Sequence, residues 1–169
     1  MAIVQVQKGS CYTVLDLYKA ILYMGRYEDC VPNYVMGFNV TPHGVMEEMT
    51  RVKMVYGNSI GRQFYHLVIS LEPGEKCRKN HSALELAGHL IGMYLADNQC
   101  LGRTQVLLAL HQNTGNDHFH AVINNVDLNT KQRINLDKKT LYTLKQDISQ
   151  ILQCCGYAAV LYYQGASAA

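Results

Sequence analysis

The apolar residues of this chain change period several times along its length. Residues 2–7 alternate weakly and predict a short strand. Val14, Leu17, Tyr18, Ile21 and Leu22 then recur at helical spacing and define one helix face. Thr13 and Asp16 form a plausible reciprocal cap at its start, and Gly25 a stop. Residues 34–40 predict a strand and 45–56 a second helix. The run RQFYHLVISL at 62–71 is rich in β-formers, and Pro73-Gly74 breaks it. Ser82 and Glu85 resemble a capping box opening a helix with the core stripe Ala83, Ala87, Leu90, Ile91 and Tyr94. Two apolar runs, 104–111 and 118–126, flank Gln-Asn-Thr-Gly-Asn-Asp, a string of turn formers that predicts a β-hairpin. Asp137 caps a last helix carrying Leu141, Leu144, Ile148, Ile151, Leu152 and Cys155 on one side, and 158–163 predict a closing strand.

Strands alternate with helices until the hairpin breaks the alternation. The pattern predicts an α+β fold, an antiparallel or mixed central sheet with helices packed mainly on one face. The other face is then free to carry a site. A chain of 169 residues fits one domain, residues 1–169. With 49% hydrophobic and 17% charged residues it can bury a core, which excludes general disorder. No apolar run approaches the ~18–20 residues of a membrane span. The start, MAIVQVQKGS, has no basic leader and apolar core, so the expected location is the cytoplasm. Six cysteines lie scattered without a C-x-x-C pair and read as reduced apolar fillers rather than bridges or a zinc site. The net charge of +2 is small, but its basic excess falls late in the chain. Lys131, Arg133, Lys138 and Lys139 cluster there, a group able to neutralise phosphates.

The candidate chemistry concentrates in the hairpin. His118 and His120 are two apart on a strand, so both point to one face, while Phe119, Ala121 and Ile123 point to the other. His111 closes the preceding strand, and residues flanking the turn are cross-strand neighbours. Three imidazoles therefore converge. Neutral imidazole is the commonest metal ligand, and three protein ligands leave coordination positions open for water or substrate. Manganese, zinc, nickel and cobalt suit such a donor set, magnesium less so. His66 and Ser70 share one face of the 62–71 strand and border the site if that strand neighbours the hairpin. His43, His81 and His89 fall on helices or a helix entry and read as ordinary structural residues.

These residues carry a family resemblance. His111-x6-His118-x-His120, followed by Val122-Ile123-Asn124, resembles the third motif of plasmid and integrative-element mobilisation relaxases. These are HUH endonucleases of the P-type mobilisation family, named for a histidine–hydrophobic–histidine unit, which His118-Phe119-His120 supplies. Tyr65-His66-Leu67-Val68-Ile69-Ser70-Leu71 with Pro73-Gly74-Glu75 is similar to the second motif, and Ala20-Ile21-Leu22-Tyr23 to the first. Asn113 stands where the family often has an acidic residue, Leu71 where phenylalanine is common, and Arg26-Tyr27-Glu28-Asp29 in place of a Glu-Lys pair.

The resemblance implies a sandwich fold and a tyrosine-dependent, site- and strand-specific DNA nickase. A tyrosine attacks one phosphodiester of single-stranded DNA at an origin of transfer, leaving a 3′-hydroxyl and a 5′-phosphotyrosyl link. His111, His118 and His120 are then the metal ligands, with Mn or Mg in use and Zn, Ni or Co able to occupy the site. Supporting residues are His66, Ser70, Asn113 and Asn124, and Lys131, Arg133, Lys138 and Lys139 contact DNA. Accessory relaxosome proteins are further expected partners, and the chain is expected to be the N-terminal nuclease part of a longer protein.

Tyr23, off the apolar stripe of its helix and roughly opposite it, is the first candidate nucleophile, with Tyr27 one turn later as a rival. Tyr142-x-x-Lys145 is a second rival, resembling the active helix of rolling-circle replication initiators. A small cupin-like metalloenzyme is a third reading, but that jelly roll needs few helices and further ligands after the His-x-His strand, where no histidine follows His120.

Overall fold

The computed structural model describes residues 2–26, 30–72, 81–112 and 115–160, with backbone alone over 30–33. These residues form β1 (Ile3–Val6), α1 (Val14–Met24), β2 (Cys30–Phe38), α2 (Val45–Val55), β3 (Phe64–Ser70), α3 (His81–Ala96), β4 (Asp97–Asn98), β5 (Gly102–Arg103), β6 (Val106–His111), β7 (His118–Asn124) and α4 (Lys138–Cys154). Five strands make one antiparallel sheet in the order β1-β3-β7-β6-β2. The hairpin is present as expected, and β3 pairs with β7. β4 and β5 form a separate two-residue ladder, too short to show any alternation in the sequence.

Strand alternation divides the core in two. On one face Leu67, Ile69, Phe119, Ala121 and Ile123 pack under Leu84, Ala87, Ile91 and Leu95 of α3 and Leu144, Ile148 and Leu152 of α4. Glycines let α3 sit close to the sheet. A Cβ at Gly88 would lie 2.7 Å from the Phe119 ring, and one at Gly92 would overlap the Phe38 ring. On the other face Leu17 and Met24 of α1 and Val45 and Met49 of α2 pack over Phe64, Leu107, Ala109 and Val122.

The larger core is thus on the α3/α4 face, in keeping with an α+β sheet whose helices lie mainly on one side. The second face is not left open along its whole length, however. Leu17, Met24 and Met49 are fully buried and need apolar partners, which the sheet supplies on this side up to where the histidines begin.

The helix ends follow local chemistry. Thr13 and Asp16 make the reciprocal cap of α1, Gly25 ends it, and Asp137 accepts from the Thr140 amide to cap α4. Two stripes differ from expectation. In α1 the inward residues are Leu17, Ala20, Ile21 and Met24, whereas Val14, Tyr18 and Leu22 are exposed. In α3 the buried row runs through Leu84, Ala87, Gly88, Ile91, Gly92 and Leu95, and Ser82 lies inside the first turn rather than capping it. Val160 bridges Ala2, while 161–163 lie outside the described residues, as do Pro73, Gly74 and Glu75. Among the described residues no helix is long and apolar enough to cross a membrane, and Cys11, Cys100, Cys154 and Cys155 are free thiols.

Candidate metal centre and nucleophile

Register builds the site. His111 and His118 are direct cross-strand partners, Ala109 faces His120, and Val68 faces His120 from the other side. Period-two alternation then puts His66, His111, His118 and His120 on the α1/α2 face, His66 directly opposite Val122 and the other three beyond the apolar patch of Phe64, Leu107 and Val122. Ring centroids are 4.6 Å apart for His111 and His120, 4.9 Å for His118 and His120, and 5.7 Å for His111 and His118. One ligand nitrogen from each of these three lies within 4.8 Å of the others, a span a single cation can bridge. All three rings are buried.

Each imidazole is oriented by its second nitrogen. His111 Nε2 donates to the carbonyl of Met24, the last residue of α1, at 3.2 Å. His118 Nδ1 donates to the Asn116 carbonyl at 3.0 Å. His120 Nδ1 meets His66 Nε2 at 2.9 Å. That leaves His120 Nε2 buried and, among the described residues, without a hydrogen-bond partner. A buried lone pair of this kind is what a metal ligand presents, and a fixed tautomer behind it is the usual supporting arrangement. The donor set therefore fits a divalent cation. Burial, reinforced by the neighbouring rings, holds His120 down at about 3 and His66 at about 4, so both are neutral at physiological pH.

Tyr23 is brought to this cluster. Its ring centroid lies 5.1 Å from His120, edge-on, 5.2 Å from His111 and 6.5 Å from His66. The expected reason was wrong in detail, because Tyr23 does not lie opposite the buried stripe. It flanks that stripe, beside Met24 and one turn after Ala20, and so leans over the end of the sheet.

The remaining candidates separate. Ser70 pairs with His118 across β3–β7 and borders the site. Asn113 and Tyr27 lie outside the described residues. Asn124 shares the face but sits four residues past His120, ~13 Å along the strand. Its amide donates to the Met49 carbonyl and to Gln105 Oε1, an anchoring role that corrects its expected place at the site.

Arg133 bridges Val126 at the far end of β7, and Lys131 lies over the Tyr56 ring, so neither borders the histidines. Lys138, Lys139 and Tyr142 belong to α4, which packs on the opposite face of the sheet. His81 lies beside Glu85 and the Tyr34 ring, and His89 beside the Phe38 ring, outside the cluster. What sequence spacing missed is the support from backbone carbonyls of Met24 and Asn116, which carries no residue-type signal.

On one face of this sheet, under a helix-borne tyrosine, three histidines thus form a group able to hold a metal ion. The chain belongs to the relaxase family, MobA/VirD2-like, nuclease domain, whose family model matches residues 23–156. It is 31% identical over 99 residues to Protein rlx of Staphylococcus aureus, a stretch covering 57% of this chain and 27% of that protein. The chain thus spans about a quarter of the length of this curated relative. Among solved structures it resembles the MobM relaxase domain bound to plasmid pMV158 oriT DNA, a manganese-bound crystal structure. That likeness has a TM-score of 0.61 at 11% identity, covers 99% of this chain and 93% of the other, and establishes the shared fold.

Proposed function

We propose that this relaxase domain is a metal-dependent, site- and strand-specific endonuclease and strand transferase acting at an origin of transfer in conjugative mobilisation. The observation supporting it is the packing of the Tyr23 ring 5.1–5.2 Å from His120 and His111. His111, His118 and His120 would hold a divalent cation, manganese or magnesium, which supplies Lewis-acid charge to the phosphate oxygens. The Tyr23 oxygen forms a bond to phosphorus, the bond from phosphorus to the 3′ oxygen breaks, and the phenolic proton ends on the 3′-hydroxyl. The product is a 5′-phosphotyrosyl strand. One phosphoester replaces another, so the reaction can run back to rejoin DNA.

His66 holds the His120 ring, Met24 and Asn116 hold the other two, and burial excludes competing water from the ligand side. Single-stranded DNA is the substrate, with accessory relaxosome proteins as partners. Lys131, Arg133, Lys138 and Lys139 contact the DNA backbone away from the cut bond.

The test uses oligonucleotides tiling the origin strand of its own element, with Mn²⁺, and reads covalent protein–DNA adduct on denaturing gels. Tyr23→Phe should abolish the adduct, as should alanine at His111, His118 or His120, with circular dichroism unchanged. Adduct formation that survives Tyr23→Phe but stops with Tyr142→Phe would replace this reading with a replication initiator.

A further inference from the structure

A groove of about 440 Å³ opens from Tyr23 and His66 and runs away from the three clustered histidines. Phe64 forms part of its wall, and Lys19 and Arg62 line it further along. Lys19 precedes Tyr23 by one helical turn, ~6 Å along the axis. Arg62 lies four residues before His66, ~13 Å along the strand direction. The groove therefore continues from the candidate nucleophile for about the length of a short run of nucleotides.

Its charges are unusually available. The Arg62 guanidinium is fixed by neutral partners: it donates to Cys11 Sγ at 2.7 Å and to the Tyr12 hydroxyl at 3.4 Å. Its Cζ lies 5.3 Å and 4.8 Å from the ring centres of Tyr12 and Tyr65. Among the described residues no carboxylate pairs with Arg62 or Lys19; the ion pairs present are Arg51–Glu47 and His81–Glu85. The one acid in the wall, Asp16, is already committed: its Oδ2 accepts the Ser10 hydroxyl and the Tyr12 and Thr13 amides at the start of α1. A preorganised guanidinium and an exposed ammonium, neither paired with a carboxylate among the described residues and both near the candidate nucleophile, make a phosphate-binding arrangement.

We propose that this groove holds the single strand next to the bond being cut, with Lys19 and Arg62 on its neighbouring phosphates. The proposal rests on the relaxase reading and adds the path of the substrate. The contacts are to backbone, so they set position on the strand rather than base identity.

The experiment titrates fluorescein-labelled dT20 with the protein in excess EDTA, by fluorescence anisotropy at several salt concentrations. EDTA separates strand binding from the metal centre. Each phosphate contact contributes about 0.7 to the slope of log K against log salt on a single strand. Lys19→Gln should lower that slope by about 0.7, and Lys19→Gln with Arg62→Gln by about 1.4. Lys19 is exposed, so its variant tests the proposal even if Arg62→Gln disturbs packing. Arg51→Gln removes a charge of the same sign from α2, outside the groove and already paired with Glu47, and should leave the slope unchanged. Wild-type binding whose slope survives Lys19→Gln, or falls equally with Arg51→Gln, overturns the groove and leaves the relaxase reading standing. No salt-dependent binding of dT20 by the wild type also overturns the groove, and the relaxase reading then stands or falls on adduct formation with the origin strand.

Discussion

Replacing His66 by phenylalanine should weaken metal binding without removing a ligand. His66 Nε2 lies 2.9 Å from His120 Nδ1, and burial keeps His66 neutral, with its pKa near 4. His66 Nε2 can then accept the Nδ1 proton of His120, leaving His120 Nε2 with its lone pair toward the cation. Phenylalanine preserves the ring's bulk and the contact beside Tyr23 but removes the acceptor. His120 then loses both its orientation and its fixed tautomer.

Loss of such a supporting bond typically weakens metal affinity by ~10–100-fold, or about 1.4–2.7 kcal/mol. The same range follows from leaving one buried donor unsatisfied, ~1–3 kcal/mol. Isothermal titration with Mn²⁺, backed by the electron paramagnetic resonance of free and bound Mn²⁺, reads the change directly. His66→Gln, whose carbonyl oxygen can still accept, should recover part of the loss. The chelated protein should melt at nearly the wild-type temperature. Mn²⁺ affinity within twofold of wild type in His66→Phe would refute the tautomer argument.

Acid should destabilise the metal-free domain. His66 and His120 take up protons near pH 4 and 3 when folded but near ~6.5 when unfolded, so below pH ~6.5 the unfolded chain binds protons first. Their stabilising contribution is complete above that value and is lost as pH falls toward 4. Thermal melts in EDTA at pH 7.5 and 5 should differ by several degrees, and equal melts would contradict the burial of these rings. Lys53 is 1% exposed, its Nζ donates to the Gln63 carbonyl at 2.9 Å, and burial lowers its pKa to about 8. Lys53→Met should raise stability at pH 7 by ~1 kcal/mol, since a buried charge is replaced by an apolar chain of similar length. Urea melts should show that gain shrinking between pH 8 and 10.5, as the wild-type amine sheds its proton on folding; a gain that grows instead would sink the account. Gly92→Val should cost ~1–3 kcal/mol, because its side chain meets the Phe38 ring, and Gly57→Ala offers an uncrowded comparison whose cost comes from a positive φ alone. A neutral Gly92→Val in the same melts would mean that α3 can stand off the sheet.

The three-histidine cluster was legible in the sequence because two local rules suffice. Alternation assigns His118 and His120 to one face, and the turn length makes His111 the partner of His118. His66 needed a non-local fact, that β3 neighbours β7, which no spacing contains. Tyr23 was reached for a reason that failed: Val14, Tyr18 and Leu22 are apolar at helical spacing yet face solvent, while Ala20 and Met24 turn inward. Periodicity finds an apolar stripe but not which flank of it meets the sheet. Asn124 came with the motif resemblance, which carries no distance, and it sits four residues past His120 on the strand. Lys19 and Arg62 were passed over because they come to line one groove only in the folded chain, when α1 lies over the sheet. Charge counting drew attention to residues 131–139 instead, a sequence cluster that packs elsewhere.

The single bond from His111 to the Met24 carbonyl makes the end of α1 and the imidazole cluster one mechanical part. Tyr23 is the residue just before that carbonyl, so a tilt of the His111 ring is passed to the phenol through a lever one peptide long. The reach of the Tyr23 oxygen, the proposed nucleophile, is thereby geared to the spacing of the rings beneath it. Cations of different radius should accordingly change the rate of strand cleavage more steeply than they change the affinity for DNA.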